Sequence, residues 1–189
     1  MPENNKPSLA AEVSLSEIKT LVRIVIWAAL IGVGGWLSIP LPGAPISLQT
    51  FFLVLAGLIE GPKTGALAAG LYLLAGFLGL PIFTGGLGGP AILLKPSAGF
   101  ALAFPLSAAA AGWLARRRDD RGLLSFRRAL AASLAGLFII FPFGFIGLMI
   151  NAQLAPQAAA LVLLNFVPGD IAKALAAASI SSSRRFRRK

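Results

Sequence analysis

Two charged side chains stand alone in the last part of an otherwise apolar sequence. Asp170 and Lys173 are the only acidic and basic residues between positions 130 and 183. They are three residues apart and follow Pro168 and Gly169, so on a helix they would share one face. A charge at the centre of a bilayer costs roughly 2.5–3.5 kcal/mol, and charged residues in apolar segments are usually functional. We therefore expect the pair to bind a ligand.

These side chains suit a ligand that carries both N–H donors and a carboxylate. An ionised aspartate only accepts hydrogen bonds, so Asp170 would accept N–H groups. An ammonium group beside a helix N-terminus binds carboxylates, which would be the role of Lys173. The alternative is structural: Pro168 suits the start of a helix, the helix dipole would stabilise Asp170, and Lys173 would neutralise it. Both interpretations stay open at this point.

The composition is that of a membrane protein. Of the 189 residues, 57% are hydrophobic and only 13% are charged. A soluble domain of this length needs far more charge on its surface, so a single domain in a lipid bilayer is the simplest interpretation. The net charge of +10 is better explained by membrane topology than by nucleic-acid binding, because the basic residues flank apolar segments.

The residue types exclude most catalytic chemistry. The sequence has no cysteine and no histidine, which removes thiolate nucleophiles, imidazole bases and the usual zinc ligands. Six of the seven acidic residues lie in polar ends and turns, so a carboxylate pair for hydrolysis is missing. Pro62 interrupts residues 57–64, a stretch that faintly resembles a nucleotide-binding loop. We expect neither an enzyme nor a bound metal or cofactor.

Six apolar segments predict an all-α, polytopic bundle of six transmembrane helices. The segments are residues 20–37, 48–59, 64–80, 99–115, 129–150 and 168–181. Several are shorter than the roughly 20 residues of an ideal span, which packing between helices tolerates. The segments lie within a domain of residues 19–183, between an N-terminal tail of residues 1–18 and a basic tail of residues 184–189. A signal peptide is the alternative for the first segment, but a cleavage pattern is missing.

The basic residues indicate the orientation. With six crossings, most Lys and Arg residues fall on one side of the membrane. They lie at both ends of the chain, at position 63 and at positions 116–128. The positive-inside rule makes that side, and both termini, cytoplasmic. The outward side keeps only Lys95. These features predict a multi-pass protein of a plasma membrane of the bacterial inner-membrane type.

The outward loops are expected to cover a cavity. Residues 39–47 contain three prolines and no charge, residues 81–96 include a glycine-rich run, and residues 151–167 are apolar. Irregular backbone cannot face lipid, because its polar groups would stay unsatisfied. A phosphate cradle in the glycine-rich run is disfavoured, since no helix follows it directly.

Other residues have two interpretations each. Gln49, which opens the second helix, either caps that helix or faces a ligand. Tyr72 is the only tyrosine, and its hydroxyl needs a partner or a cavity. In the first helix, Ala28, Ala29 and Gly32 form a strip of small residues that serves either internal packing or docking to another membrane protein.

Several motifs in order resemble a known family. Residues 39–50 (IPLPGAPISLQT), 61–66 (GPKTGA), 71–72 (LY), 79–83 (GLPIF) and 168–173 (PGDIAK) are similar to the BioY family. These proteins are the biotin-specific substrate-binding (S) components of energy-coupling factor (ECF) transporters. The resemblance covers roughly residues 20–180.

The resemblance implies a six-helix bundle that binds biotin near its outward face. Asp170 and Lys173 match the family's last-helix pair, and Asp170 would accept from the ureido N–H groups while Lys173 binds the valerate carboxylate. Gln49 matches a polar position after the first loop.

Further binding residues follow from the same resemblance. Gly85 and Gly86 match glycines of the family's third loop counted along the whole chain, which is the second outward loop here, and Phe83 and Tyr72 would cover the thiophane ring. Lys95 departs from the family pattern, and as an outward cation it could share the role of Lys173.

The resemblance also implies partners. Family members work with a transmembrane scaffold subunit and ATPase subunits, and small residues of the first helix, here Ala28, Ala29 and Gly32, contact the scaffold. We therefore expect a biotin-capturing subunit for ATP-driven uptake. The alternative is a self-sufficient secondary transporter coupled to protons through Asp170, which is less favoured because the sequence shows no internal repeat.

Overall fold

The chain is mostly helical. The computed structural model describes residues 15–41, 44–116 and 123–183. The predicted basic tail of residues 184–189, residues 1–14 of the predicted N-terminal tail and part of the basic segment at 116–128 lie outside the described residues. The helices are α1 (Leu15–Trp36), α2 (Gln49–Glu60), α3 (Pro62–Phe77), α4 (Ala98–Leu102), α5 (Phe104–Leu114), α6 (Phe126–Asn151), α7 (Pro156–Leu164) and α8 (Val167–Ser181), with a 3₁₀ turn at Pro90–Leu94.

Helix α2 lies at the centre of the bundle. It packs against α1, α3, α5, α6 and α8, and α5 and α6 pack against each other. Glycines make the closest crossings possible: a Cβ at Gly57 would meet the carbonyl oxygen of Ala108, and one at Gly112 would meet the backbone of Pro62. Helices of membrane proteins commonly approach one another over such small residues.

The middle of α1 is tied to the C-terminal end of α2, on the side opposite the loops predicted to cover a cavity. The indole nitrogen of Trp27 donates to Oε1 of Glu60 at 3.2 Å, and Arg23 Nη1 lies 3.4 Å from Oε2 of the same carboxylate. Gly61, with φ of 88°, turns the chain directly into α3, which starts at Pro62. Glu60 is therefore used by a structural contact away from Asp170.

The first and third outward loops have defined local structure. Within the first, β1 (Ser38–Ile39) pairs antiparallel with β2 (Ile46–Ser47). In the third predicted loop, residues 151–167, the expectation of irregular backbone was wrong, because residues Pro156–Leu164 form α7. A helix satisfies its own backbone groups, which suits an apolar segment next to lipid.

The fourth predicted segment, residues 99–115, is also different from the expectation. It consists of two helices, α4 and α5, that separate at Ala103. Pro105 lies in the first turn of α5, where its missing N–H removes a hydrogen bond that a continuous helix would make. The break places Phe100 and Phe104 on different helices.

The length and composition of the helices fit a membrane protein. In the described part of the chain, α1 and α6 are each long and apolar enough to cross a bilayer. Helices α7 and α8, which are bent by 41° relative to each other, are long and apolar enough only when taken together. Helices α2 and α5 are apolar but shorter. Large apolar side chains such as Leu74, Trp113 and Phe138 are exposed on the outside of the bundle. Six crossings and cytoplasmic termini remain predictions.

Candidate ligand-binding site

The predicted charged pair lies near the start of α8, with Asp170 in the first turn and Lys173 in the second. Pro168 occupies the start of this helix, and the N–H of Asp170 donates to the carbonyl of Phe166 at 2.9 Å. Nζ of Lys173 is 3.0 Å from Oδ1 of Asp170. The side chain of Lys173 is only 9% exposed, and that of Asp170 is 12% exposed. The shared face predicted from their spacing is confirmed.

A hydroxyl from α2 completes this charged cluster. Nζ of Lys173 donates to Oγ1 of Thr50 at 3.0 Å, and the Thr50 hydroxyl lies 3.5 Å from Oδ1 of Asp170. The ammonium group therefore has two acceptors inside the chain, and all three contacts of the cluster that involve Asp170 or Thr50 leave Oδ2 of Asp170 unused. Two helices distant in sequence together hold the pair in place.

Gln49 is the centre of a second polar network. Its side-chain N–H donates to the hydroxyl of Tyr72, and its Oε1 accepts from Thr84 at 2.8 Å and from Ser47 at 3.1 Å. Its side chain does not cap α2, whose N-cap residue is Leu48. Gln49 is 4% exposed, so these bonds fix the orientation of a buried amide. The network joins α2 and α3 to both the first and the second outward loops.

Aromatic rings enclose the same region. The ring of Tyr72 meets that of Phe83 edge-on at a centroid distance of 5.4 Å and lies 6.0 Å from that of Phe104. Phe83 is 2% exposed and sits over Gly76, where a Cβ would collide with the ring. These rings provide an apolar wall beside the polar groups.

The two polar networks and the rings line one cavity. Its volume is about 60 Å³. The lining comes from the first outward loop, the start of α2, α3, the second loop, α4, α5, α6 and the start of α8, and it includes Ala44, Pro45, Ser47, Gln49, Thr50, Tyr72, Phe83, Thr84, Phe100, Phe104, Phe166, Asp170 and Lys173. A mostly apolar cavity with a few convergent polar groups is the usual form of a small-molecule site.

Comparison with known proteins identifies the family. The model of the BioY family matches residues 5–188. The chain belongs to the BioY family. The biotin transporter BioY of Thermotoga maritima is 37% identical over 87% of this chain and 94% of its own length. The probable biotin transporter BioY of Pyrococcus horikoshii is 36% identical over 86% of this chain and 94% of its own length.

A solved structure supports the same assignment. The crystal structure of the S-component for biotin from an ECF-type ABC transporter matches 92% of this chain and 93% of its own, with a TM-score of 0.79 and 30% identity. The predicted family resemblance is thus confirmed. The relatives are named as transporters, so this BioY-family chain is a transport protein and not an enzyme.

Three predicted site residues do not line the cavity of this BioY-family chain. Gly85 and Gly86 have φ of 78° and 73° and form the exposed turn that carries Phe83 and Thr84. Lys95 is exposed at the end of the 3₁₀ turn, and its carbonyl accepts from the side chain of Asn151 at 2.9 Å. Contact of these residues with a ligand stays a prediction.

The small residues of α1 are divided between the interior and the surface. Ala28 and Gly32 are buried, and a Cβ at Gly32 would lie 3.3 Å from Ile82. Internal packing therefore accounts for these two positions. Ala29 is exposed, and contact of this strip with a partner stays a prediction.

The sequence did not reveal all the residues of the site. Ser47, Thr50 and Thr84 were not predicted as site residues, although each binds a predicted one. Thr50 and Thr84 stand at junctions between a loop and a helix or turn, and a hydroxyl at such a place next to an apolar segment is the signal that could have indicated them.

Proposed function

We propose that this chain is the S component of an ECF transporter and captures biotin from the outer face of the membrane. The observation that carries the proposal is the cluster of Asp170, Lys173 and Thr50, which lines a cavity in a chain of the BioY family. Burying an ion pair costs desolvation energy, and a ligand with complementary polar groups offsets that cost. The rest of the cavity suits an apolar ring system.

The distance within the pair determines which end of biotin it meets. Lys173 Nζ and Asp170 Oδ1 are 3.0 Å apart, so one group of the ligand touches both. The ureido group carries a carbonyl acceptor flanked by N–H donors, and it matches a cation beside a carboxylate. Lys173 then donates to the ureido carbonyl, which replaces the expected contact with the valerate carboxylate, and Asp170 accepts from an N–H group.

The valerate carboxylate then needs another cation. Lys95 lies between Ile92 and Ser97, which both line the cavity, so it stands at the rim on the predicted outward side. Its side chain is exposed and long enough to turn toward a carboxylate at the mouth. In this arrangement Lys95 binds the carboxylate of the ligand, a role that the resemblance had left open between Lys95 and Lys173.

Biotin methyl ester tests the division between the two lysines. Wild type and the Lys95→Met and Lys173→Met variants are titrated with biotin and with its ester. In the proposed arrangement, wild type prefers biotin to the ester, and Lys95→Met loses most of that preference. Lys173→Met weakens both ligands about equally. A preference that disappears in Lys173→Met and persists in Lys95→Met would contradict the arrangement and restore the carboxylate role to Lys173.

Ligand selectivity tests the function itself. The purified chain is titrated with biotin, desthiobiotin, thiamine and riboflavin by calorimetry. We expect biotin to bind most tightly and desthiobiotin, which keeps the ureido group and the carboxylate, to follow. Thiamine and riboflavin, which have no carboxylate, are expected to give no binding at biotin-saturating concentrations. Equal binding of the four, or none, would refute the proposal.

The energy for uptake must come from other subunits in this proposal. No nucleotide-binding motif was found in the sequence, so ATP acts through ATPase subunits and a transmembrane scaffold, with α1 as the proposed contact. Affinity purification from the native membrane is expected to recover an ATPase-bearing complex. Biotin uptake into liposomes by the chain alone, driven by a pH gradient, would instead support the proton-coupled secondary transporter.

A further inference from the structure

The last two turns of α1 lie against the start of the second outward loop, outside the lining of the binding cavity. The indole nitrogen of Trp36 donates to the carbonyl of Pro81 at 2.9 Å. A Cβ at Gly32 would lie 3.3 Å from the Cβ of Ile82, and one at Gly35 would lie 3.0 Å from the carbonyl oxygen of Ile82. Positions 35 and 36 come three and four residues after position 32, so one face of the helix meets the loop.

The residues that follow Pro81 in this loop form part of the cavity wall. Phe83 and Thr84 both line the cavity. The N–H of Phe83 donates to the carbonyl of Leu87 at 2.9 Å, and the hydroxyl of Thr84 donates to Oε1 of Gln49 at 2.8 Å. Consecutive Cα atoms have a fixed separation, so the position of Pro81 limits where the ring of Phe83 and the hydroxyl of Thr84 can stand.

The end of α1 also supports the amide that Thr84 binds. A Cβ at Gly35 would lie 2.8 Å from Nε2 of Gln49, so the helix backbone is close to this amide. The N–H of Leu48, directly before Gln49, donates to the carbonyl of Gly34 at 3.0 Å. Helix α1 therefore contacts both sides of the hydrogen bond between Thr84 and Gln49, on one side through the loop and on the other through the start of α2.

We propose that Trp36 is a positioning residue for ligand binding. Its hydrogen bond to Pro81 holds the second outward loop where Phe83 and Thr84 face the ligand, and Trp36 itself does not touch the ligand. This inference rests on the proposed capture of biotin. Trp36 is 61% exposed, so its ring adds little to the core, and its N–H makes the specific contact. An indole that served only as an anchor at the membrane interface would need no particular acceptor in the chain.

Replacing Trp36 by Phe keeps an aromatic ring and removes the N–H donor. We expect calorimetry of the purified full chain to show about threefold to tenfold weaker binding of biotin by Trp36→Phe, because one hydrogen bond no longer holds the loop. Trp113→Phe is the matched control: Trp113 is 60% exposed on α5 and does not line the binding cavity. Its replacement should leave the affinity at the wild-type value. An equal loss of affinity in both variants would show a general effect of removing an exposed indole and would refute the proposal.

Hydrogen exchange of the indole groups tests the same link from the other end. If the contact of Trp36 strengthens biotin binding, biotin must strengthen that contact by the same factor. In NMR spectra of the full chain with isotope-labelled tryptophan, saturating biotin should slow the exchange of the Trp36 indole N–H by about threefold to tenfold. Exchange at Trp113 should not change. Because this measurement uses the wild-type chain, it tests the proposal even if Trp36→Phe does not fold.

Asp170→Asn separates the failure of this inference from the failure of the proposed function. Wild-type affinity in a folded Trp36→Phe, or equal exchange at Trp36 with and without biotin, would overturn the role of Trp36. The proposed function would still stand if wild type binds biotin and Asp170→Asn binds it more weakly. A wild-type chain that binds no biotin would contradict both proposals.

Discussion

The hydroxyl of Tyr72 holds the buried amide of Gln49 in one orientation. Replacing Tyr72 by Phe leaves the side-chain N–H of Gln49 without this acceptor. A buried donor without a partner costs about 1–3 kcal/mol, so we expect a lower thermal midpoint and a several-fold loss of biotin affinity. Both are measured on the purified protein, by thermal unfolding and by titration.

Ser179→Ala is the matched control for the loss of a hydroxyl. The Ser179 side chain is exposed and donates to the carbonyl of Leu175 in its own helix. Its removal should leave stability and biotin affinity nearly unchanged. If Tyr72→Phe behaves like Ser179→Ala, the network around Gln49 does not support the site.

Local contacts could be predicted from the sequence, and distant ones could not. The pair of Asp170 and Lys173 follows from a spacing of three residues in one helix. Its third member, Thr50, lies 120 residues before Asp170, and only the packing of α2 against α8 brings it there. Tyr72 was expected to need a partner, but the choice of Gln49 depends on how α2 and α3 pack.

The crossing of α2 and α5 depends on the absence of a side chain at Gly57. A Cβ there would collide with the carbonyl oxygen of Ala108. We expect Gly57→Ala to lower the free energy of unfolding by about 1–3 kcal/mol, because an overpacked contact forces the helices apart. Gly70→Ala in α3 is the control: a Cβ at Gly70 has no neighbour within 4 Å, and alanine favours a helix interior. Equal thermal midpoints for the two variants would show that the close approach is unimportant.

The elements differ in how well the sequence indicates them. The long apolar runs correspond to α1 and α6, since their length and composition need little tertiary information. Residues 151–167 were expected to be an irregular outward loop between two spans, whereas Pro156 in fact opens helix α7. The division into α4 and α5 follows from Pro105, whose effect inside an apolar run was not anticipated.

The arrangement of the whole molecule in the membrane is open to a labelling experiment. The sequence contains no cysteine, so an introduced single cysteine is the one site that a thiol reagent can label. Lys63 and Lys95 are both exposed, and six crossings place them on opposite sides. We expect an impermeant maleimide added to intact cells to label Lys95→Cys, while Lys63→Cys reacts only after the membrane is opened. Labelling of both from outside would contradict the predicted topology.

The affinity of biotin for variants of the α8 pair tests the central claim most directly. A hydrogen bond to a charged group contributes about 1.5–3 kcal/mol, so calorimetry should show at least a tenfold weaker binding for Asp170→Asn and for Lys173→Ala. Glu60→Gln, which alters a carboxylate paired with Arg23 far from the cavity, should bind biotin as wild type does. Folded Asp170 and Lys173 variants that keep the wild-type affinity would show that this pair does not bind the ligand.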